Sequence, residues 1–165
     1  MGTLTVSSTT FSNGGTIPVA NVTEGCGGPP GAAQRISPQV SWTAGPPGTG
    51  SYAVTMFDTD APTGTGFWHW IVFNIPPSVT SLPLDAGKNM VPGAIQGYND
   101  GGAAGYRGPC PPVGDAPHHY FFTVSALNAM VQNFGPETTG ARLSFVMSKV
   151  AKVLARGQYL GLYGR

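Results

Sequence analysis

Two short stretches concentrate the side chains able to move protons or grip an anion. The first runs Phe57-Asp58-Thr59-Asp60-Ala61-Pro62 and continues to Phe67-Trp68-His69-Trp70. The second runs Tyr106-Arg107-Gly108-Pro109-Cys110-Pro111-Pro112 and continues through Asp115 to His118-His119-Tyr120. Carboxylates beside imidazoles orient and charge them, and a charged or neutral imidazole is the ordinary side chain for proton transfer near pH 7. A phenol adds a neutral donor. Asp58, His69, His118 and Tyr120 together would therefore serve either to hold a small anion or to carry out general acid–base chemistry. Each also has a plainer reading. Asp before Ala-Pro is a common turn acceptor, and a histidine sharing strand parity with Phe67, Ile71 and Phe73 reads as a core residue.

The rest of the chain is unusually poor in charge. Of 165 residues only 9% are charged, the net charge is +1, and no basic run offers the footprint of a nucleic-acid binder. No apolar run is long enough for a membrane span, and the N-terminus lacks a signal-peptide pattern, so the expectation is a cytoplasmic protein that neither binds nucleic acid nor inserts in a membrane. Asn21-Val22-Thr23 matches a glycosylation sequon, which matters only in a secretory compartment. No Cys or His pair has metal-site spacing and no dinucleotide or P-loop glycine pattern occurs, so no metal or cofactor is expected. Cys26 and Cys110 read as free, half-buried thiols, with a mutual disulfide as the alternative because both lie in Gly/Pro-rich loops that could meet.

Those loops must position the chemistry. Glycine (25) and proline (16) make up a quarter of the chain and cluster in residues 25–50 and 92–117. The 17 aromatic residues (8 Phe, 6 Tyr, 3 Trp) argue for a folded core rather than disorder. Strand-like runs cover Ser51–Asp58, Phe67–Ile75 and His119–Leu127, with shorter ones at Thr3–Val6, Gln39–Trp42 and Tyr159–Tyr163. Leu143, Val146, Met147, Val150, Val153 and Leu154 follow helical spacing, and Gly157 is placed to stop that helix. The pattern predicts a mostly β fold, two packed antiparallel sheets with a C-terminal helix, as one domain over 1–165.

Asp58-Thr59-Asp60-Ala61-Pro62 with Trp68-His69-Trp70, followed by Gly108-Pro109-Cys110-Pro111-Pro112 and His118-His119-Tyr120, resembles the phosphatidylethanolamine-binding protein family, in the style of its bacterial, Raf-kinase-inhibitor-like branch. Ser37-Pro38-Gln39-Val40-Ser41-Trp42 is similar to a further segment of that family. The resemblance implies a β-sandwich and a small pocket for phosphate, acetate or a phosphoryl headgroup. Carried over residue by residue, the pocket would comprise Asp58, Asp60, Pro62, His69, Gly108, Pro111, Pro112, His118 and Tyr120, with Tyr163 a weaker match. Thr59, Phe67 and His119 depart from the family's usual residues.

Two functions follow from this set. One is a binding module for a small anionic or polar ligand, with a protein partner or a homodimer as further expectations. The other is an enzyme, a cyclase, dehydratase, isomerase or hydrolase, in which His69 or His118 is the base, Tyr120 the acid and Asp58 tunes an imidazole. In the first, both imidazoles are expected to donate to the anion; in the second, Cys110 beside the pocket loop is a candidate nucleophile.

Overall fold

The computed structural model describes residues 1–165. In chain order the elements are β1 (Gly2–Thr3), β2 (Val6–Ser7), β3 (Gly15–Thr16), β4 (Val40–Trp42), β5 (Ser51–Asp58), β6 (Phe67–Ile75), β7 (Ser81–Leu82), β8 (Ile95–Gln96), β9 (His118–Leu127), α1 (Gly140–Lys149) and β10 (Val153–Tyr163). A 3₁₀ turn spans Val19–Asn21. The large sheet has seven strands in the order β1-β10-β9-β5-β6-β8, with β3 also on β10, and the small sheet is β2-β4-β7. All pairings are antiparallel except the short β1 and β3, which run parallel to β10.

The long strands are apolar on both faces because each face meets a different layer. Tyr52, Val54, Met56, Trp70, Phe122 and Val124 meet Val40, Trp42 and Leu82 of the small sheet. On the opposite face Ala53, Ile71 and Phe73 pack on Leu143, Val146 and Met147 of α1. Burying one such large side chain contributes about 1.5–3 kcal/mol, which is why these strands tolerate so few polar residues. The mostly β fold of two packed sheets with one helix is as the pattern predicts.

The helix is shorter than its periodicity suggests. It is capped by the Thr139 hydroxyl, which accepts from Arg142 N–H at 3.3 Å, and ends at Lys149. Val153 and Leu154 belong instead to β10, whose ladder on β9 runs from Val153↔Leu127 to Tyr163↔His118. Ten cross-strand pairs with β9 outweigh a weak helical propensity in a segment that carries Gly157 and Gly161. Gly157 lies inside that strand and is no helix stop. A side chain there would strike the Leu4 carbonyl oxygen, where the N-terminal segment crosses β10.

The two cysteines are bonded to each other, with Cα atoms 5.2 Å apart and 84 positions between them in sequence, so neither is a free thiol. This corrects the reading of two thiols and removes Cys110 as a nucleophile. The loops do meet. Thr23 N–H donates to Pro109 O at 3.2 Å, Thr23 Oγ1 to Gly108 O at 2.8 Å and Tyr106 Oη to Asn21 O at 2.7 Å. Asn21 is buried and spends its amide on Ile36 O at 2.8 Å, so the sequon's acceptor side chain is inaccessible.

Candidate functional site

A cavity of about 240 Å³ opens at the end of the large sheet where β5 stops and β6 and β9 begin. Its floor is set by ladder register. Asp58 lies between Phe67 on β6 and Tyr120 on β9, and His118 is two residues from Tyr120 on the same face. His69 arrives by a different device. Met56 pairs with Trp70 but Phe57 pairs with Trp68, so the ladder skips His69 and the strand bulges there. A bulge re-aims a side chain. Strict alternation would send His69 to the α1 side with Ile71; the bulge turns its ring to Phe67 (4.7 Å between centroids) and Tyr120 (5.2 Å).

Asp58 serves both of the uses open to it. Its Oδ1 accepts the backbone N–H groups of Asp60 (2.9 Å) and Ala61 (3.1 Å), fixing the turn after β5. Its Oδ2 stands 2.8 Å from His118 Nδ1 and 3.9 Å from His69 Nε2. His118 Nε2 faces Asp115 Oδ2 at 3.4 Å. Burial alone would depress the basicity of His118. The hydrogen bond and charge of Asp58, with Asp115 and Asp60 in support, outweigh it and raise the pKa above 6.5.

His69 goes the other way. Burial, aided by the nearby Arg107 charge, lowers its pKa to about 4 against the pull of Asp58 and of the backbone carbonyls. Its Nδ1 lies 2.9 Å from Arg107 O, which can only accept, so the proton sits on Nδ1 and Nε2 keeps its lone pair. The two imidazoles therefore differ: His118, with a carboxylate facing each ring nitrogen, is the more basic of the two, and His69 is neutral and offers an acceptor to the cavity. Tyr120 is fully buried beside both rings with a hydroxyl that no partner meets in hydrogen-bond geometry. Burial and the neighbouring Asp58 charge hold its phenol well above the usual tyrosine range.

The wall is made by the loop 107–112. Arg107, Cys110, Pro111 and Pro112 line the cavity, opposite Ala61, Pro62 and Thr63. Asp58, Pro62, His69, Pro111, Pro112 and His118 thus come together on one cavity, with Tyr120 against the imidazoles. Two expected residues lie apart. Asp60 turns to the surface, where its Oδ2 accepts from His119 N (2.7 Å) and pairs with His119 Nδ1 (2.8 Å). Gly108 faces the 21–23 segment, whose backbone leaves no room for a side chain. Tyr163 donates to Cys26 O at 3.2 Å and does not line the cavity.

Arg107, Phe67 and Asp115 are the residues that sequence reasoning left without a role. Arg107 is the only fixed cation in the second stretch, and its guanidinium lies 5.9 Å from the Phe67 centroid, within cation–π range. That signal was present. Its pairing with His69 was not, since the two are 38 positions apart.

This fold, two packed sheets with one helix, is that of the phosphatidylethanolamine-binding proteins. The model of the family described as "Phosphatidylethanolamine-binding protein" matches residues 7–164, and the chain belongs to that family. A UPF0098 protein of Aquifex aeolicus is 40% identical over 161 residues, covering 97% of this chain and 88% of that protein. The UPF0098 protein YbcL of Escherichia coli is 48% identical over 118 residues, 69% of this chain and 64%, less than two thirds, of that relative's length. The crystal structure of E. coli YbcL, described as a new member of the mammalian PEBP family, matches with a TM-score of 0.88 at 39% identity over 98% of both chains.

Proposed function

We propose that residues 1–165 act as one small-ligand-binding unit whose cavity takes a phosphoryl or carboxylate group. One observation carries this reading: His118 lines the cavity, and its Nε2 is met, at 3.4 Å, only by the half-exposed carboxylate of Asp115, which lies outside the cavity lining. Asp58, buried behind it, keeps the ring charged and oriented. An incoming anion replaces Asp115, and Arg107 on the wall adds a second positive group. His69, with its free lone pair, receives a proton-bearing oxygen or nitrogen of the same ligand. Selectivity then rests on geometry in a small cavity rather than on net charge. The Cys26–Cys110 bond favours residence in a compartment that preserves disulfides over a reducing cytoplasm. No helix is long and apolar enough to cross a membrane.

The test is calorimetric titration of the protein with inorganic phosphate and with acetate at pH 6. Saturable binding is expected, weakened at least tenfold in His118→Ala and tightened in Asp115→Ala. Absence of saturable binding to either anion contradicts the reading.

A second reading draws on the split between the imidazoles. Groups whose environments push their pKa values apart are the usual acid and base of an active site, and here charged His118 and neutral His69 share one cavity with Tyr120. Turnover of a small metabolite, lost in both His69→Ala and His118→Ala, would establish that reading; a metabolite screen without turnover leaves the binding module.

A further inference from the structure

A second cleft, of about 280 Å³, is walled by Arg35, Lys88, Asn99, Gly105 and Arg107 among others. Three of the chain's eight Lys and Arg residues face it and no carboxylate lines it. Arg35 and Lys88 have only loose acidic neighbours, Glu24 at 3.5 Å and Asp85 at 3.6 Å, and both cations are about half exposed. Arg107 makes no ion pair. Its guanidinium rests against Gly101, where a Cβ would come within 2.6 Å of Nη1, and beside buried Asn99. Its backbone is fixed by reciprocal bonds to His69, N–H to His69 O and O from His69 Nδ1. This cation is therefore held in place rather than waving in solvent.

Arg35 supplies an independent sign. Four residues other than glycine have a left-handed backbone: Asn74, Asp85, Asn133 and Arg35. Asn and Asp tolerate that conformation through their short polar side chains, whereas Arg does not. At φ 52° Arg35 pays a backbone cost that glycine would avoid, in a chain that uses glycine freely. Such strain tends to be retained where the side chain has a task. The task its position suggests is to bring a third cation to the cleft.

We propose that this cleft is a phosphate site, separate from the histidine cavity, that takes inorganic phosphate or the phosphate monoester of a small molecule. Three cations converge on one concavity, and a phosphate dianion can draw Arg35 and Lys88 from Glu24 and Asp85, which lie outside the lining, whereas a monocarboxylate would offer them no more than those carboxylates already do. The site does not depend on the histidine cavity binding anything, although Arg107 borders both.

The experiment is an amide NMR titration of the full chain with sodium phosphate and, separately, glycerol phosphate, at constant ionic strength balanced with chloride. Saturable shifts are expected at Gly87, Lys88, Gly105 and Arg107. Arg35→Gly combined with Lys88→Gln should weaken them at least tenfold while the melting temperature holds, since glycine relieves the left-handed position. His118→Ala should leave these shifts in place. If phosphate moves only residues around Pro111 and His118, or if the double variant binds with unchanged affinity, the second site is refuted. Unfolding of Arg35→Gly alone would show that Arg35 is there for structure and would overturn its role; Lys88→Gln alone then decides the cleft.

Discussion

The floor and the wall of the histidine cavity are built on opposite principles. Asp58, His69, His118 and Tyr120 stand on three adjacent strands, Asp58, His118 and Tyr120 held by ladder pairing and His69 by a bulge in the same ladder. The wall, 107–112, belongs to no strand; it joins the floor only through the reciprocal bonds of Arg107 with His69 and is otherwise kept by the Cys26–Cys110 bond and hydrogen bonds to 21–23 and to Arg165, whose Nε donates to Pro111 O at 2.6 Å. Chemistry that needs fixed protonation states sits on the rigid half. The half that sets cavity shape is stapled on from a distant segment.

If that contrast is right, damage to the two halves should separate. Asp58→Ala should have the largest effect, because it removes the carboxylate from a buried charged imidazole and also the acceptor of the turn; a loss of roughly 4 kcal/mol is expected by urea denaturation, along with anion binding. Removing the staple with Cys26→Ser and Cys110→Ser should cost about 3 kcal/mol, through release of a long loop in the unfolded chain. It should leave the pKa of His118 unchanged, because no wall disulfide touches that ring. A lowered His118 pKa in the disulfide variant would show that the two halves are not independent.

The two histidines give the floor an acid limb and an alkaline limb. His69 titrates near 4 when folded and near 6.5 when unfolded, so as pH falls between these values the unfolded state takes up protons first and stability is lost, on the order of 3 kcal/mol. His118 has the opposite sign. Its raised pKa stabilises the fold fully below 6.5, and the contribution is lost as pH rises through its folded value. Melting scans from pH 4 to 9 should show His69→Gln flattening the acid limb and His118→Gln the alkaline one. The smallest effect belongs to Tyr120→Phe: its buried hydroxyl has no partner, so the variant should be as stable as the parent or more so by up to about 1 kcal/mol, yet bind phosphate more weakly.

What the sequence disclosed follows the same division. The three long strands and the shared face of His118 and Tyr120 were legible from parity, because period-two alternation is enforced by the sheet. Parity alone placed His69 in the core with Ile71, and only the family resemblance put it in the pocket, since a bulge depends on register with β5 and leaves no local mark. The end of α1 was missed because Val153 and Leu154 fit helical spacing as well as a place in β10; only the partner strand decides. The disulfide and the Arg107–His69 pairing join segments 84 and 38 positions apart, which no local pattern reports.

Histidine-ring NMR across pH 5 to 9, with and without saturating inorganic phosphate, tests the central claim most directly. Phosphate should raise the pKa of His118 further and leave His69 neutral throughout that range. A His118 titration that is identical in both conditions, or a His69 that charges above pH 5, would contradict the account.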